Sequence, residues 1–580
     1  MAETQPSDVL ANGGLDGLDT SPALNQTSST IPTAWDFMGD VSFFFLEVQL
    51  ILGAMSIIYF AAHASLRRPP SAAPRKSKKP GQKHIDETQF AQGLEPSDAI
   101  MFPLLAGALL IGLYYIIQWL KDPALLNKIL KYYMSFMSVA SLFSLYAHGI
   151  QLAVSFVFPD YWRGRDGRLR KVDQRQRVVV ICDNAGNPQP AASTESNPLP
   201  GALSLFGATP RLQKSAWEIR SLLTRHWALR FAMHGVGEEK ANIKFSHMVG
   251  MFMGLATALL YFTTSMTFLS NVLGYGMCYG SLQLLSPTNF LTGALVLVGL
   301  FFYDIVMVFY TPYMVTVATT LDVPIKLTFK AAGRQSILGL GDIVIPGIVI
   351  AWTLRLDLWV HYLRKVKYDQ TALKLIEKDS TGTVVERMDY RHREIKTQYQ
   401  DVKGNWGNSL WIRGPLFISG AQQAPPSVAA ARFSKVYFTA SMVGYLLGML
   451  VTLAMLLVFK RGQPALLYLV PGVLGSILVT AAARGELKEL WTYTEDDSLD
   501  TVDVVVDLDA NGRPIKTVGK LENGVVDTTK TEDDKNAKSE EEKKQEDKKE
   551  KEGKDQIAKG KGHQVFLLAL DAPPEGEDED

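Results

Sequence analysis

Apolar residues in this chain gather into blocks of about 20 residues, the length that an α-helix needs to cross the hydrocarbon core of a bilayer. Strongly charged stretches separate these blocks. Of the 580 residues 47% are hydrophobic and the formal net charge is zero, values that a large soluble protein with evenly spread apolar residues would also show. The clustering therefore decides the class, and it predicts an all-α polytopic membrane protein.

Nine such blocks are predicted to form transmembrane helices. They cover about 43–63, 100–119, 133–157, 247–264, 268–286, 290–310, 337–356, 435–459 and 464–483. Only the polar patch Thr263–Ser265 separates the fourth block from the fifth. One long helix is the alternative there, but two spans fit the length better.

The distribution of lysine and arginine predicts the orientation in the membrane. The first 40 residues contain neither, whereas the segment 67–83 after the first span is rich in both. The positive-inside rule then puts the N-terminus outside, on the luminal side, and nine spans put the C-terminus in the cytosol. The basic stretches 161–177 and 363–369 fall on the cytosolic side in this count. A glycosylation sequon at Asn25 lies in the tail predicted to be luminal.

The predicted topology divides the chain into four parts. These are a luminal tail at 1–41, spans one to five at 42–286 with cytosolic loops 64–98 and 158–245, spans six to nine at 287–484 with cytosolic loop 360–434, and a largely disordered cytosolic tail at 485–580. The pattern predicts an amphipathic helix around Ala216–Phe231. The two longest loops, 158–245 and 360–434, are candidates for packing on the membrane surface. The charge run 530–562 has almost nothing to bury, which predicts disorder there.

Two carboxylates interrupt the apolar spans. Asp304 lies in FFYDIVMVFY (301–310), and Asp342 lies in ILGLGDIVIPG (337–347). An ionisable side chain inside a transmembrane helix is costly, and such residues usually face the bundle interior with a functional role. Both aspartates lie roughly 7–8 Å inside the outer ends of two antiparallel spans. We therefore expect the two side chains to face each other across one helix interface.

The residues around Asp342 favour an open site. Gly339 and Gly341 are predicted to let a partner backbone approach, and Pro346 is predicted to bend the helix, because it cannot donate to the Asp342 carbonyl. Two close carboxylates in a low-dielectric site share one proton, as in aspartic proteases. One carboxylate then takes a proton from water while the other donates toward a peptide carbonyl. The sequence leaves open which aspartate is the base.

A third segment, QPALLYLVPG (463–472), opens the ninth span. Its proline stands where a helix accepts proline, and the following small residue permits close approach. The combination of YD in span six, GLGD in span seven and QPAL at the head of span nine resembles the signal peptide peptidase family of intramembrane aspartyl proteases, which is related to presenilin. The stretches 315–327 and 99–114 also look like that family. The resemblance covers roughly 40–490.

This resemblance implies a role for each of the matching residues. Asp304 and Asp342 would be the catalytic pair. The residues expected to support the active site and engage the substrate are Tyr303, Gly339, Leu340, Gly341, Gln463, Pro464, Ala465 and Leu466, the last three matching the PAL element of the family. An extended substrate needs backbone partners, which we expect at the 328–336 connection and at the Gln463 end. No metal or other cofactor is predicted.

The resemblance also implies substrates, partners and location. The predicted substrates are transmembrane peptides, namely remnant signal peptides and type II segments whose N-terminus faces the cytosol. The predicted location is the endoplasmic reticulum membrane. The lipid bilayer is a further predicted partner and nucleic acid is not, while a homo-oligomer or an endoplasmic-reticulum quality-control complex is left open.

Two other classes of function compete with intramembrane proteolysis. A proton or cation transporter or leak channel would use the same acid pair, and a catalytically inactive chaperone of membrane proteins is a third class. The presence of both aspartates and of the PAL segment favours the protease.

Other reactive or polar residues give no competing site. The sequence contains no HExxH and no rhomboid-type GxSG, which excludes the corresponding zinc and serine proteases. Cys182 and Cys278 lack CxxC spacing, so neither a disulfide nor a metal site is predicted. Glu47, His148 and Asn271 are expected to be packing or hydrogen-bonding groups rather than catalysts.

Overall fold

A computed structural model gives the fold of this chain. It describes residues 34–74, 92–120, 123–164, 166–189, 195–233, 237–321, 323–331, 334–378, 384–413, 424–459, 462–495, 499, 504–508, 514–520, 525–527 and 566–571. The predicted glycosylation site at Asn25 and the charge run 530–562 lie outside the described residues.

Nine long helices coincide with the nine predicted blocks. They are α1 (Ala34–Ala64), α2 (Asp98–Leu120), α3 (Pro123–Val157), α5 (Phe245–Thr264), α6 (Thr267–Leu284), α7 (Phe290–Ile305), α9 (Gly341–Leu363), α12 (Val436–Phe459) and α13 (Leu466–Arg484). Within the described residues eight helices are long and apolar enough to cross a membrane, and α6 is not one of them. The polytopic helical architecture is confirmed, and the ninth crossing stays a prediction.

The fourth and fifth blocks form two helices rather than one long helix. Ser265 has a positive φ of 52° and ends α5 in the left-handed conformation, with its N–H donating to the Tyr261 carbonyl. A non-glycine residue in this region of backbone space cannot continue a right-handed helix. The break at the polar patch is therefore a true helix terminus.

Five shorter helices and several strands lie between or after the long helices. The shorter helices are α4 (Pro210–Thr224), α8 (Tyr313–Thr320), α10 (Trp406–Arg413), α11 (Pro426–Ala430) and α14 (Leu487–Thr492). The strands are β1 (Gln92–Leu94), β2 (Tyr161–Arg163), β3 (Leu169–Asp173), β4 (Val178–Cys182), β5 (His226–Met233), β6 (Gly237–Lys244), β7 (Leu285–Pro287), β8 (Lys326–Ala331), β9 (Arg334–Gly339), β10 (Lys367–Lys378), β11 (Val384–Ile395), β12 (Val504–Leu508), β13 (Pro514–Lys520), β14 (Val525–Asp527) and β15 (Phe566–Asp571).

Helix α9 is the centre of the bundle. Almost all of its residues from Ile343 to Tyr362 are buried, and it packs against α1, α6, α7, α12 and α13. A helix that is apolar on every side can be covered on every side, which is why this segment takes the central place. The helices that carry the two candidate aspartates, α7 and α9, are therefore neighbours in the core.

Glycines bring α12 and α13 into backbone contact. A Cβ atom on Gly444 would lie 2.3 Å from the Gly472 carbonyl oxygen, and one on Gly448 would lie 2.9 Å from the Tyr468 carbonyl oxygen. Such distances exclude any side chain, so both positions require glycine for this close helix crossing.

The seventh block starts as a strand, which corrects the predicted helix start at 337. Strand β9 pairs antiparallel with β8, with Thr328 opposite Ile337. Its side chains alternate, because Ser336 and Leu338 are buried while Gln335 and Ile337 are exposed. This period of two is that of a strand. Helix α9 begins only at Gly341 and extends to Leu363.

The two long predicted loops, 158–245 and 360–434, fold together rather than remaining as separate loops. Strands β2, β3 and β4 form an antiparallel sheet, against which α4 and α10 pack. The buried residues of this packing include Trp162 and Trp217, with Trp411 lying against them. We call β2–β4, α4, α10 and α11 the loop module. Its helix α4 covers Pro210–Thr224, and strand β5 follows, so the predicted helix over Ala216–Phe231 is placed too far along the chain.

Parts of the C-terminal tail are strands, which corrects the predicted largely disordered tail at those positions. Strand β15 pairs with β5, which pairs with β6, and β12, β13 and β14 join the long β10–β11 hairpin. These strands find backbone partners far away along the chain, and local composition carries no signal for such pairing. The fifth sheet is the short parallel pair β1 and β7.

The segment just after α13 is also part of the core. Glu495 and Arg355 of α9 are both 4% exposed and form an ion pair, with Arg355 Nε 2.8 Å from Glu495 Oε1. Arg67 also pairs with Glu495, and the Tyr493 hydroxyl donates to it at 2.9 Å. A second Arg355 nitrogen donates to Ser286 Oγ at 2.6 Å. The predicted tail boundary at 485 is thus too early, because these contacts order the chain to residue 495.

The buried acid Asp357 holds α12 to α9. The Asp357 carboxylate accepts hydrogen bonds from the backbone N–H groups of Tyr437 (3.2 Å) and Phe438 (2.9 Å). These groups belong to the first turn of α12, whose N–H groups have no partner within the helix. Asp357 therefore acts as a cap supplied by another helix.

Candidate active site

Asp304 lies one residue before the end of α7 and is 3% exposed. Asn289 starts this helix, since its side-chain oxygen accepts the Thr292 N–H at 2.8 Å. Directly after Asp304 and Ile305 the chain widens into a π-helical turn over Val306–Tyr310. Such turns are rare and frequently occur at functional sites. The first candidate carboxylate is therefore buried at a local change of helical geometry.

Asp342 is the second residue of α9 and lies three residues after the end of strand β9. A Cβ atom on Gly339 would lie 3.3 Å from its Oδ2 atom, and a Cβ on Gly341 would contact only Ile345. Gly339 pairs with Lys326 of β8, and its missing side chain leaves space beside the Asp342 carboxylate. The approach of a further backbone to these two glycines stays a prediction.

The two aspartates lie close enough to interact. The Asp304 carboxylate acts electrostatically on Asp342, and their helices pack against each other. Charges in such an apolar setting are weakly screened, so ionisation of both carboxylates at once is unfavourable. The arrangement can therefore hold one proton shared by two acids.

Tyr445 of α12 supports the backbone at Asp342. Pro346 has no N–H, which leaves the Asp342 carbonyl without its helical partner. The Tyr445 hydroxyl donates to this carbonyl oxygen at 3.3 Å, and its side chain is fully buried. Sequence reasoning predicted the free carbonyl but missed its partner. The sequence feature that could have indicated this partner is a tyrosine beside Gly444 in a largely apolar span.

The predicted PAL segment reaches Asp304 through its backbone. Ala465 is the N-cap of α13, and Leu466 is the first residue of that helix. The Leu466 N–H donates to Asp304 Oδ2 at 3.1 Å. The first N–H groups of a helix have no internal partner and carry positive partial charge, which suits a carboxylate acceptor. Pro464 precedes this contact and its carbonyl accepts the Leu467 N–H at 3.3 Å.

The other predicted site residues line the surrounding walls. The Tyr303 ring lies near Gly107 of α2, since a Cβ there would meet it at 3.7 Å. The Leu340 N–H donates to the Ile325 carbonyl at 3.1 Å. Gln463 Oε1 accepts from the Tyr468 hydroxyl at 3.5 Å. The structure thus brings Leu466 to Asp304, next to α9, which carries Asp342 and contacts both α7 and α13.

Two polar residues of the bundle hold the β8–β9 hairpin beside the site. The Asn271 side chain of α6 donates to the Thr328 carbonyl at 2.8 Å and accepts the Thr328 N–H at 2.9 Å. The Ser336 hydroxyl donates to Glu47 of α1 at 2.7 Å. Both residues are hydrogen-bonding groups as the sequence analysis expected, but their partners in the hairpin could not be predicted.

His148 and the cysteines lie apart from these contacts. His148 Nδ1 is 3.0 Å from the Tyr279 hydroxyl, and Cys182 and Cys278 are buried free thiols. In the part of the chain that the structure describes, no three histidine, cysteine, aspartate or glutamate side chains are grouped to hold a metal ion.

Comparisons with known proteins identify relatives of this chain. A family model described as Signal peptide peptidase matches residues 86–497, more than half of the chain. "Probable intramembrane protease YKL100C" of Saccharomyces cerevisiae is 26% identical over 468 residues, which cover 76% of this chain and 66% of that protein.

Two further relatives match shorter segments. "Probable intramembrane protease C25B8.17" of Schizosaccharomyces pombe is 32% identical over 260 residues, which cover 44% of this chain and 67% of that protein. "Signal peptide peptidase" of Homo sapiens is 29% identical over 293 residues, which cover 48% and 59% respectively. The matched segments thus cover between 59% and 67% of the length of these three relatives. No solved structure matches the chain.

Proposed function

This chain belongs to the signal peptide peptidase family, and we propose on that premise that it is an aspartic endopeptidase that cleaves peptide bonds inside the membrane. The proposed catalytic residues are Asp304 and Asp342. One observation carries the proposal, namely that buried Asp304 acts electrostatically on Asp342 of the neighbouring helix and accepts the Leu466 N–H. A structural ion pair would instead need a cation, whereas this site brings together two acids.

The contact with Leu466 supports an assignment of roles. A hydrogen bond donated to a carboxylate favours its ionised form. We therefore assign the base to Asp304 and the shared proton to Asp342. Asp304 takes a proton from water as the water oxygen attacks the scissile carbonyl, and Asp342 gives its proton to the carbonyl oxygen. The resulting diol collapses when the C–N bond breaks. Asp304 then protonates the leaving nitrogen and Asp342 recovers a proton from the diol.

The β8–β9 hairpin is the proposed binding site for an extended substrate. A peptide bond inside a helix is shielded by its own hydrogen bonds, so the scissile segment must unwind and find new backbone partners. Strand addition at a sheet edge provides them. At Thr328 the outer edge of β8 is already bonded to Asn271. We therefore propose that the peptide pairs with the opposite edge, β9, which leads directly to Asp342.

The substitution Asn271→Ala tests this proposed binding site at the β8–β9 hairpin. Removal of both contacts to Thr328 should loosen the hairpin, and a misplacement of about 1 Å can cost roughly a hundredfold in rate. We expect kcat/KM to fall at least about tenfold, and mass spectrometry should detect cleavage at additional neighbouring bonds.

Tyr279→Phe is the matched control for the hairpin test. It removes one hydrogen bond from the same helix, to His148, without touching the hairpin, and should leave both rate and cleavage position unchanged. A wild-type kcat/KM and a single cleavage position in Asn271→Ala would contradict the proposed substrate-binding site.

The proposed substrates are remnant signal peptides and type II membrane segments, and the proposed location is the endoplasmic reticulum membrane. Charge bias in 67–83 and 161–177 supports a luminal N-terminus and a cytosolic C-terminus. Because the site is chiral, a fixed orientation of the enzyme should select one substrate direction. The glycoprotein assignment at Asn25 and the oligomer or quality-control complex remain predictions.

One cleavable segment placed in both orientations in microsomes tests the proposed substrate class. We expect cleavage only when its N-terminus faces the cytosol, and equal cleavage of both orientations would refute the assignment. Glycosylation at Asn25 reports the orientation of the enzyme independently. If purified protein in liposomes transported cations but did not cleave a helical peptide at any pH, the proposal of protease activity would be refuted.

A further inference from the structure

The loop module carries an exposed apolar surface. In the 3-10 helix Gly201–Gly207 and in α4 five large apolar side chains are exposed: Leu205 (76%), Phe206 (72%), Leu212 (49%), Ile219 (49%) and Leu222 (40%). The three in α4 are spaced at i, i+7 and i+10, which puts them along one side of the helix. Exposed large apolar side chains grouped on two neighbouring helices in this way mark an interaction site.

This surface lies at the ends of two membrane helices. Arg220 of α4 is 3% exposed and donates to the carbonyls of Phe158 and Pro159, both at 3.0 Å, immediately after α3 ends. Leu223 and Ala216 of α4 pack in one cluster with Phe158 and with Val154 in the last turn of α3. Helix α4 also contacts α5. Since α3 and α5 are both membrane-crossing candidates, α4 is fixed at the depth where they leave the bilayer.

The charges near this surface suit a layer of lipid headgroups. Arg211 of α4 is exposed next to the apolar side of the helix and Arg225 follows the helix, while Lys214 is exposed away from that side. The one acidic residue of α4, Glu218, pairs with Arg177 at 3.0 Å. Helices that lie in a membrane surface combine apolar residues on one side with lysine and arginine elsewhere. Cationic side chains near the boundary then meet lipid phosphates.

We propose that residues 201–224 form an interfacial anchor, which lies in the headgroup region and binds the loop module to the lipid bilayer. Its occupant is lipid, because the position of α4 at the ends of α3 and α5 puts the bilayer beside it. The anchor is separate from the carboxylate site, so its test does not depend on proteolysis.

Lipid contact can be measured directly with an environment-sensitive fluorophore on a single introduced cysteine. Cys182 and Cys278 are buried, so labelling of the native protein targets the new thiol. Phe206→Cys and the control Lys214→Cys are labelled and placed in nanodiscs that contain lipids with a spin label near the headgroup. An interfacial apolar face lies roughly 5–10 Å into the headgroup boundary, and we expect quenching at 206 at least about twofold stronger than at 214.

Quenching by aqueous iodide separates lipid from other occupants. Iodide should quench the label at 214 but not the label at 206. Strong iodide quenching at 206 would show a water-exposed surface and overturn the anchor. Shielding from iodide without quenching by the spin-labelled lipid would show a protein partner or a second copy instead, and would also overturn it.

A charged variant tests the apolar side of α4 itself. Adding Leu212→Asp and Ile219→Asp should reduce the lipid quenching at 206 at least about twofold, because carboxylates resist burial in the interface. Both side chains are already exposed, so folding should survive, and a monodisperse elution profile checks this. Unchanged quenching in the folded double variant would overturn the role of this side of the helix.

Discussion

Asp304→Asn or Asp342→Asn is expected to reduce cleavage of a transmembrane peptide by at least about a hundredfold and up to roughly ten-thousandfold, the contribution of positioned acid–base groups. Asparagine keeps the shape of the side chain but can neither take the proton from water nor share it. The measurement is single-turnover cleavage in detergent, followed by mass spectrometry. Binding of an inhibitor that mimics the diol should also weaken in both variants.

Asp357→Asn is the matched control for this experiment. Asp357 is a buried acid on α9, and it accepts two N–H groups from the first turn of α12. Asparagine retains one acceptor oxygen there, so activity should stay within a few-fold of wild type. If either Asp304→Asn or Asp342→Asn retained comparable activity, the proposed catalytic pair would be wrong.

Arg355→Ala is expected to destabilise the protein by about 3–5 kcal/mol, because it removes one partner of a buried ion pair. Glu495 would keep only Arg67 as a cation, and Ser286 would lose its donor. The free energy of unfolding in denaturant and the melting temperature should both fall. Exposure of the buried thiols Cys182 and Cys278 to a thiol-reactive dye can report the transition.

Arg364→Ala on the same helix is the control for this prediction. Its side chain is 55% exposed, and its partner Glu486 also accepts hydrogen bonds from Arg484 and Tyr437. An exposed pair contributes about 1 kcal/mol or less, so this variant should melt close to wild type. Equal losses in the two variants would mean that the Arg355–Glu495 pair has no special role in the core.

The same ion pair predicts the effect of acid. Burial alone would raise the pKa of Glu495, but Arg355 and Arg67 together with hydrogen bonds hold it below its ordinary value of 4.5. A folded-state pKa below the unfolded value gives stability above pH 4.5 that is lost as the pH falls through the folded value. The difference in stability between wild type and Glu495→Gln should therefore shrink in acid.

Local patterns in the sequence predicted the helices and the pair of acids. Asp304 and Asp342 stood out because a carboxylate inside an apolar run is costly and rarely occurs without a functional role. The contact of the PAL segment with Asp304 was expected only in outline, and its chemical form is a single backbone hydrogen bond from Leu466.

Features that depend on distant partners could not be predicted. The run 337–339 is apolar and continuous with α9, so only its pairing with β8 identifies it as a strand. Tyr445 lies 103 positions from the Asp342 carbonyl that it supports. Glu495 stands in a polar stretch that is typical of a tail, and it becomes core only because Arg355 and Arg67 meet it there.

The backbone contact between α12 and α13 limits how a substrate can reach the carboxylates. A substrate of the proposed protease would enter sideways from the lipid, through a gap that opens between two helices. Separating α12 from α13 would break the packing at Gly444, Gly448 and Gly472, and it would also move Leu466 away from Asp304. An entrance between α12 and α13 would therefore disrupt the proposed active site. We expect the lateral entrance to lie between other helices, and we expect α12 and α13 to move together.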